Sequence, residues 1–259
     1  MLKLTLTTIA APLLVLCLGA TVTRAQPSRV FVAAQGLDSS PCTFAQPCRS
    51  FQKGHDAVAA GGEIDVLDPA GYGAVTITKA ISIQGHGFAG IAAPGSNAIT
   101  INAGTADKVN LRWLLIDGIG TGGHGIALNT GASLSIQDCL IRNVGSGSGV
   151  VFVPSASSNL SVSNTVISDH SGNGVYVAPT GSGTVNVVLD HVEMGNTESD
   201  PDTTGYLPSA PRAPGPSKSP SATAWPRTVA RMELLSCRTR RQPSSWCGTP
   251  RSPTMACLD

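Results

Sequence analysis

The sequence predicts an all-β fold, and two observations support this prediction: the amino-acid composition and an internal repeat. The 259 residues include 29 glycines and 18 prolines, and only 13% of them are charged, against roughly 25% in an average domain. Glycine and proline interrupt long helices, whereas Val, Ile and Thr favour short strands. This composition, with a formal net charge of +1, argues against an ordinary helical enzyme and against a nucleic-acid-binding protein.

Short segments of alternating apolar and polar residues repeat along the middle of the chain. Their polar landmarks are equally spaced: Asp138, Asn164 and Asp190. A Gly-x-Gly motif recurs with them at nearly the same interval: 123–125, 147–149 and 172–174. Such a period is typical of leucine-rich repeats and of parallel β-helices, which bury a core by stacking coils. Each unit here contains two or three short strands rich in β-branched residues, so we predict a parallel β-helix with coils of about 25 residues.

Residues 1–25 have the features of a cleaved secretory signal. They carry Lys3 near the start, continue with an apolar stretch over 9–20, and end at Ala25 before Gln26. The apolar stretch is shorter than the ~20 residues that a membrane-spanning helix needs. We therefore expect a secreted or periplasmic protein with no membrane span.

Residues 26–70 form the predicted N-terminal cap, which contains the close pair Cys42 and Cys48. Export places these thiols in an oxidising compartment, so we expect a Cys42–Cys48 disulfide. A metal site needs more ligands than this pair and His55, the nearest histidine, provide. We expect the disulfide to hold the cap in place with a modest gain in stability, because a short loop loses little entropy on closing.

Residues 71–200 form the predicted β-helix, in which equivalent residues stack at about 4.8 Å per coil. Two apolar columns are expected to fill the interior: Ile136, Val162 and Val188, and Leu140, Val166 and Val192. The polar landmarks form a third column, expected at a sharp bend because Asn and Asp tolerate a left-handed backbone. The Gly-x-Gly column is expected at a second corner for the same steric reason.

The repeats, together with the segment Thr76–Gly85, resemble the right-handed parallel β-helix proteins of the pectate-lyase-like superfamily. The segment from Arg29 to Gln52, followed by Gly61–Val66, resembles the N-terminal cap of a group of exported bacterial β-helix proteins of unassigned function. Together the two resemblances cover about residues 29–196. They imply a right-handed coil and, for function, the polysaccharide chemistry of that superfamily.

Two histidine motifs resemble the Gly-His-Gly motif of polygalacturonases, which are related β-helix enzymes that hydrolyse pectin: Gly85–His86–Gly87 and Gly123–His124–Gly125. In that family the motif works with clustered aspartates, because glycoside hydrolysis needs one carboxyl group as acid and another as base. No Asp-Asp pair and no Arg-x-Lys segment accompanies it in this sequence. We therefore predict no catalytic residue and expect solvent-facing histidines at glycine corners.

Pectate lyases of the same superfamily hold calcium with stacked carboxylates and use an arginine as base, since oxygen ligands must neutralise the cation and the uronate together. Asp117 and Arg142 lie one predicted coil length apart, so we expect them to stack as an ion pair between neighbouring coils. We predict no metal site and no cofactor, with Ca²⁺ expected only if the protein is a lyase.

Sugar binding without catalysis requires only hydrogen-bonding side chains that recur at the coil spacing. His124 and Asn173 share one column with Ser148, and a second corner supplies further polar groups. We therefore predict a polysaccharide-binding strip with five members: Asp117, His124, Asn143, Asp169 and Asn173. Trp113 lies in a predicted strand, and we expect it in the core or the cap rather than as an aromatic platform for a sugar.

The function predicted from these residues is non-catalytic contact of an exported β-helix repeat protein with a polysaccharide or cell-surface glycan. One alternative is a polysaccharide lyase, epimerase or hydrolase of the pectate-lyase-like superfamily. Another is a structural or adhesive surface protein in which the repeat forms a stiff rod.

Residues 201–259 differ from the rest of the chain, with ten prolines, seven arginines and three cysteines. Their formal charge is +5, against −6 for residues 26–200. We predict a disordered tail or a segment read in a shifted frame. A shift back by one base converts Glu233 and Ala256 to glycine and Cys247 to valine, which restores repeat-like corners. On this hypothesis the basic tail is no evidence for nucleic-acid binding, although a basic patch would normally suggest it.

Overall fold

The structure, a computed structural model, describes residues 25–197, 206–208 and 230–238. Strands make up 50% of it and helix 4%, and parallel coils of about 26 residues stack into a β-solenoid of about five turns. The predicted all-β parallel β-helix is therefore confirmed. Within these residues, no helix has the length and apolar character needed to span a lipid bilayer.

The elements follow in chain order: β1 (Arg29–Val32), α1 (Phe51–Ala57), β2 (Gly62–Val66), β3 (Ala70–Gly71), β4 (Val75–Ile77), β5 (Ile81–Ala92), β6 (Ile99–Asn102), β7 (Lys108–Asp117), β8 (Ile126–Thr130), β9 (Ser133–Gln137), β10 (Leu140–Arg142), β11 (Val150–Phe152), β12 (Ser158–His170), β13 (Val175–Val177), β14 (Val185–Thr197), β15 (Tyr206–Pro208) and β16 (Ala230–Arg238). The larger sheet runs β1-β2-β5-β7-β10-β12-β14-β16, with β3 and β9 paired alongside. The smaller sheet runs β15-β13-β11-β8-β6-β4. The coils from β2 to β15 contribute strands to both sheets, whereas the first coil has α1 after β1.

The coils of the larger sheet bend sharply at one residue with positive φ. Successive coils place four residues in this bend column, with φ of 58°, 54°, 47° and 51°: Trp113, Asp138, Asn164 and His191. The column confirms the expected left-handed bend at Asp138 and Asn164. The prediction that Asp190 is the third residue of this bend was wrong by one residue. Asp190 pairs with Ser163, one position before the bend, and His191 occupies the bend itself.

The bend also explains a wrong prediction about the interior. Ile136 and Val162 are buried as expected, but Leu140 faces outward and Val166 is 37% exposed. A strand alternates its side chains between two faces, and the single left-handed residue at the bend interrupts that alternation. The interior positions therefore resume one residue later than strict alternation predicts, at Cys139 and then at Ile141, which is fully buried.

In the third copy the register also differs from the predicted columns. Val162 pairs with Leu189 rather than Val188, and Val166 pairs with Glu193 rather than Val192. The coil that leads into β14 is one residue longer than the coil before it. Leu189 is therefore buried in place of Val188, whereas Val192 is buried as predicted, although its partner is Thr165 rather than Val166.

The Gly-x-Gly corner exists, but the predicted reason for its glycines was wrong. Gly125 and Gly149 have no left-handed backbone. A Cβ on Gly125 would lie 2.5 Å from the carbonyl oxygen of Gly149, and one on Gly149 would lie 2.8 Å from that of Gly174. These positions require glycine because the backbone of the next coil and the buried Ile141 and Ile167 side chains leave no room for a Cβ.

The N-terminal end of the larger sheet is covered by the loop that the disulfide closes. Cys42 and Cys48 are bonded as predicted. The N–H of Phe31 donates to the Cys42 carbonyl at 2.8 Å, the Cys48 N–H donates to the Phe31 carbonyl at 2.9 Å, and the Ala33 N–H donates to the Cys48 carbonyl at 2.9 Å. The outer edge of β1 is thereby paired, and α1 follows with Phe51 in the core.

Two strands of the C-terminal stretch belong to the solenoid, which the sequence did not predict. β15 pairs with β13, and β16 pairs with β14 beginning at Val185 and Ala230. The other residues of 201–259 and residues 1–24 of the predicted signal lie outside the described residues. The hypothesis of a disordered or frame-shifted tail stays a prediction.

Candidate functional site

Asp117, the first residue of the predicted binding strip, is held by hydrogen bonds within the protein. Arg142 pairs with it across neighbouring coils, with Nε 3.1 Å from Oδ2, which confirms the predicted ion pair. The Asn143 side-chain amide donates to the same carboxylate at 3.1 and 3.2 Å, and the Ile119 N–H donates at 2.9 Å. Burial alone would raise the pKa of Asp117, but these hydrogen bonds and the Arg142 charge outweigh it and hold the pKa below its ordinary value. Most of the acceptor capacity of this carboxylate is therefore used inside the fold.

Asn143 and Asp169 occupy a second corner, as the sequence predicts, and the structure shows that its backbone is left-handed. Both have φ of 53°, and the register of β10 with β12 places them in adjacent coils. The Ser168 hydroxyl donates to Oδ2 of Asp169 at 3.0 Å. The structure thus brings Asp117, Asn143 and Asp169 to one corner of the solenoid.

His124 and Asn173 share a column with Ser148, as predicted, and the column links the coils by hydrogen bonds. The donors are backbone amides. That of His124 donates to Oδ1 of Asn97 at 2.8 Å, that of Ser148 donates to Nδ1 of His124 at 3.1 Å, and that of Asn173 donates to Oγ of Ser148 at 3.1 Å. Each polar side chain except the last accepts from the backbone of the next coil. We call this the inter-coil ladder, and burial lowers the pKa of its histidine, His124.

A groove lies elsewhere, along the bend column of the larger sheet. It has a volume of about 380 Å³ and is lined by six main residues: Gly87, Trp113, Leu115, Asp138, Leu140 and Asn164. Leu114 and Cys139 form its buried floor. Burial raises the pKa of the Cys139 thiol to about 11, so the thiol is protonated at neutral pH. We call this concavity the bend groove.

Trp113 is the largest side chain in the bend groove, and the expectation that it lies in the core or cap is wrong. Its side chain is 43% exposed. Trp113 lies in the bend column with φ of 58°, where the inward and outward alternation of β7 is interrupted, so its side chain faces outward. The sequence contained the information to place Trp113 at the bend, because Trp113 precedes Asp138 by one coil length.

One end of the bend groove is formed by an insertion in β5. Gly85–Phe88 stand opposite the single residue Trp113 in the register of β5 with β7. His86 lies on the surface, as expected, but its Nε2 lies 2.6 Å from Oδ1 of Asp65, and its ring stacks on Phe88 at 5.8 Å. Gly87 lies against the Trp113 ring, since a Cβ there would come within 3.7 Å of Cε3. The insertion therefore supports the tryptophan from one side.

The two sides of the bend groove differ in polarity. After the bend, an aliphatic wall faces outward in successive coils: Leu115, Leu140 and Val166. Before the bend, a polar wall occupies the equivalent outward positions: Gln84, Arg112, Gln137 and Ser163. The groove thus runs across the coils between one apolar and one polar surface.

A second concavity, of about 390 Å³, lies beside the smaller sheet. Its lining is polar and includes Gln52, Thr76, Asn97 and Thr100. Two of these side chains bind within the fold, because Oε1 of Gln52 accepts from the Thr76 N–H at 2.9 Å and Asn97 begins the inter-coil ladder. Of the two concavities, the bend groove alone has an aromatic ring in its lining.

The fold and the bend groove define the class of protein, a parallel β-solenoid with an open amphipathic groove. Among the described residues, no three His, Cys, Asp or Glu side chains come together as a metal site. Comparisons with protein-family models, curated proteins and solved structures give no match.

Proposed function

We propose that this protein is an exported β-solenoid that binds a polysaccharide in the bend groove without cleaving it. The observation that carries the proposal is the half-exposed Trp113 beside Asp138 and Asn164. An aromatic ring packs against the apolar face of a sugar, while carboxylate and amide groups accept and donate hydrogen bonds to hydroxyls. Asp117 and His124 are better explained as structural groups, because their hydrogen bonds join coils.

The repeat supports a polymer rather than a single sugar as ligand. Equivalent side chains in a parallel stack recur about every 4.8 Å along the solenoid axis. Asp138 and Asn164 therefore offer polar groups in successive coils beside a continuous aliphatic wall. A chain lying along the axis meets similar side chains more than once, so weak contacts with each sugar add up.

The chemistry of the groove supports binding without hydrolysis. Hydrolysis of a glycosidic bond requires a second carboxyl group at a defined distance from the first. Asp138 is the single carboxylate in the groove lining, and the protonated Cys139 thiol lies in the floor. Export is supported by the predicted signal and by the Cys42–Cys48 disulfide, since disulfides persist in oxidising compartments.

The proposal is tested by affinity electrophoresis and calorimetry with soluble β-glucan, xylan, galactomannan and polygalacturonate. We expect binding to at least one polymer, a loss of at least tenfold in Trp113→Ala, and partial recovery in Trp113→Phe, which keeps a ring. The matched control is Phe44→Ala, because Phe44 is an aromatic residue 70% exposed at the distant cap. New reducing or unsaturated ends would support the enzyme alternative, and no binding to any polymer would support the structural rod.

A further inference from the structure

We infer that the polysaccharide bound in the bend groove is an uncharged chain, lying along the solenoid axis with its apolar faces on the aliphatic wall, and that polyuronates are excluded. This inference rests on the proposed function. It concerns the charge of the polymer and the face of the polymer that meets the aliphatic wall, which the proposed function leaves open.

The charge of the groove is unsuitable for a polyanion. Asp138 lies in the middle of the lining, and no lysine or arginine belongs to it. A uronate carboxylate that leaves water needs a cationic or strong hydrogen-bonding partner. The described residues contain no cluster that would hold a bridging cation. The carboxylate of Asp138 therefore repels each uronate that approaches it.

Acidic groups continue beyond the groove in both directions along the axis. Asp65 lies beside the insertion, where it pairs with His86, and Asp190 lies in the coil of β14, where Oδ1 is 2.6 Å from Nδ1 of His191. Arg112 is the one cation of the polar wall, one residue before Trp113 along β7. Like Gln137 and Ser163 of the same wall, Arg112 borders the groove lining without belonging to it. Its single positive charge is balanced by the negative charge of Asp138, so the groove has no net positive charge to attract a polyanion.

The two walls favour a chain with one apolar and one polar side. Leu115 and Leu140 are partly exposed and Val166 is 37% exposed, so their side chains offer aliphatic surface in three successive coils. Gln137 and Ser163 offer uncharged donors and acceptors on the other side. Neutral sugars with axial C–H groups on one face and hydroxyls at the edge match this arrangement without any charged contact.

The test compares neutral polymers with polygalacturonate, for the wild-type protein and for Asp138→Asn, at low and high ionic strength. Asn tolerates the left-handed bend as well as Asp does, so this variant changes the charge and keeps the fold. We expect the wild type to bind a neutral polymer with little salt dependence and polygalacturonate at least tenfold more weakly. Asp138→Asn is expected to reduce the difference in affinity between the neutral polymer and polygalacturonate at low salt, because it removes the charge repulsion. The reduction should be smaller at high salt, where that repulsion is already screened.

The outcomes separate this inference from the proposed function. Tight, salt-sensitive binding of polygalacturonate that Arg112→Gln abolishes would overturn the inference and leave polysaccharide binding intact. Equal binding of neutral polymers by wild type and Trp113→Ala would overturn both, because the site would lie elsewhere. Leu140→Ser is expected to weaken neutral binding, and no effect would contradict the role of the aliphatic wall.

Discussion

Breaking the Cys42–Cys48 disulfide is expected to open the N-terminal end of the solenoid. The loop that it closes has a sequence separation of 6, for which the chain-entropy relation gives about 2 kcal/mol. The same loop makes three backbone hydrogen bonds with β1, those of Phe31, Cys48 and Ala33, each contributing about 1 kcal/mol. The expected loss is therefore about 2 kcal/mol if the loop stays docked and about 5 kcal/mol if it detaches.

Hydrogen exchange measured by mass spectrometry is the suitable assay, because coils of a solenoid interact mainly with their neighbours. A loss of about 2 kcal/mol corresponds to exchange about 30-fold faster for the Phe31 and Ala33 amides, which donate to the loop. Amides of β12, in the middle of the stack, serve as the internal control and should not change. The double variant Cys42→Ser/Cys48→Ser and the chemically reduced wild type should agree, which separates loss of the bond from the effect of substitution.

An opened cap also leaves the outer edge of β1 unpaired, and unpaired strand edges promote association. We therefore expect the reduced protein to form oligomers in size-exclusion chromatography. Unchanged exchange of Phe31 and Ala33 in the reduced protein, together with a monomeric elution profile, would refute the argument that the disulfide loop holds the edge of β1.

Three further predictions follow from the described contacts and from the reading-frame hypothesis. Burial lowers the pKa of His170, whose Nε2 is buried without a hydrogen-bond partner, so the unfolded chain binds a proton before the folded chain does as the pH falls below the ordinary value of 6.5. This histidine should then lower stability by at most about 1.4 kcal/mol per pH unit. Thermal melts of His170→Gln should show a weaker dependence on pH than those of the wild type, and the partly buried His124 contributes to the wild-type dependence in the same direction. Asp117→Ala should lower the free energy of unfolding by about 2 kcal/mol, because the Ile119 N–H and the Asn143 amide lose their charged acceptor. The half-exposed Arg142 stays hydrated, so its ion pair contributes at most about 1 kcal/mol of this loss. Polysaccharide binding, measured in parallel, should stay unchanged, and a loss of binding would show that Asp117 belongs to the binding site. Resequencing the coding DNA from about codon 185 should reveal a one-base insertion or deletion that shifts the reading frame and makes position 233 glycine. Peptide masses that match residues 201–259 of the present sequence would contradict this hypothesis.

The sequence was sufficient to predict the class of fold, because the coil period and the strand-length segments are properties of the chain itself. It also placed Asn143 and Asp169 near a corner, and it placed Asp138 and Asn164 at a bend because their residue types suit a left-handed backbone. It failed where a prediction depended on the exact register. The left-handed residue at the bend shifts the alternation, so Val166 faces solvent although its neighbours in sequence suggest a core position.

The candidate site was harder to predict for a related reason. Polar residues that recur at the coil period were interpreted as a binding strip, but in the structure His124 and Ser148 accept backbone N–H groups from the next coil. Recurrence is expected of such structural residues, because every coil must satisfy the same hydrogen-bonding groups where it meets its neighbour. A regular column of polar side chains that hydrogen-bond to the neighbouring coil is therefore weak evidence for a ligand in a stacked fold.

Departures from the repeat are more informative. The bend column favours Asp and Asn for backbone reasons, and a tryptophan gains nothing there from a positive φ. Trp113 is nevertheless exposed at this position, and the only insertion of this length in the described pairing of the larger sheet, Gly85–Phe88, lies against it. Neither feature improves the stacking of coils, since both interrupt it. These two departures at one place, beside a groove with Asp138 in its lining, are therefore the observations on which the proposed binding site rests.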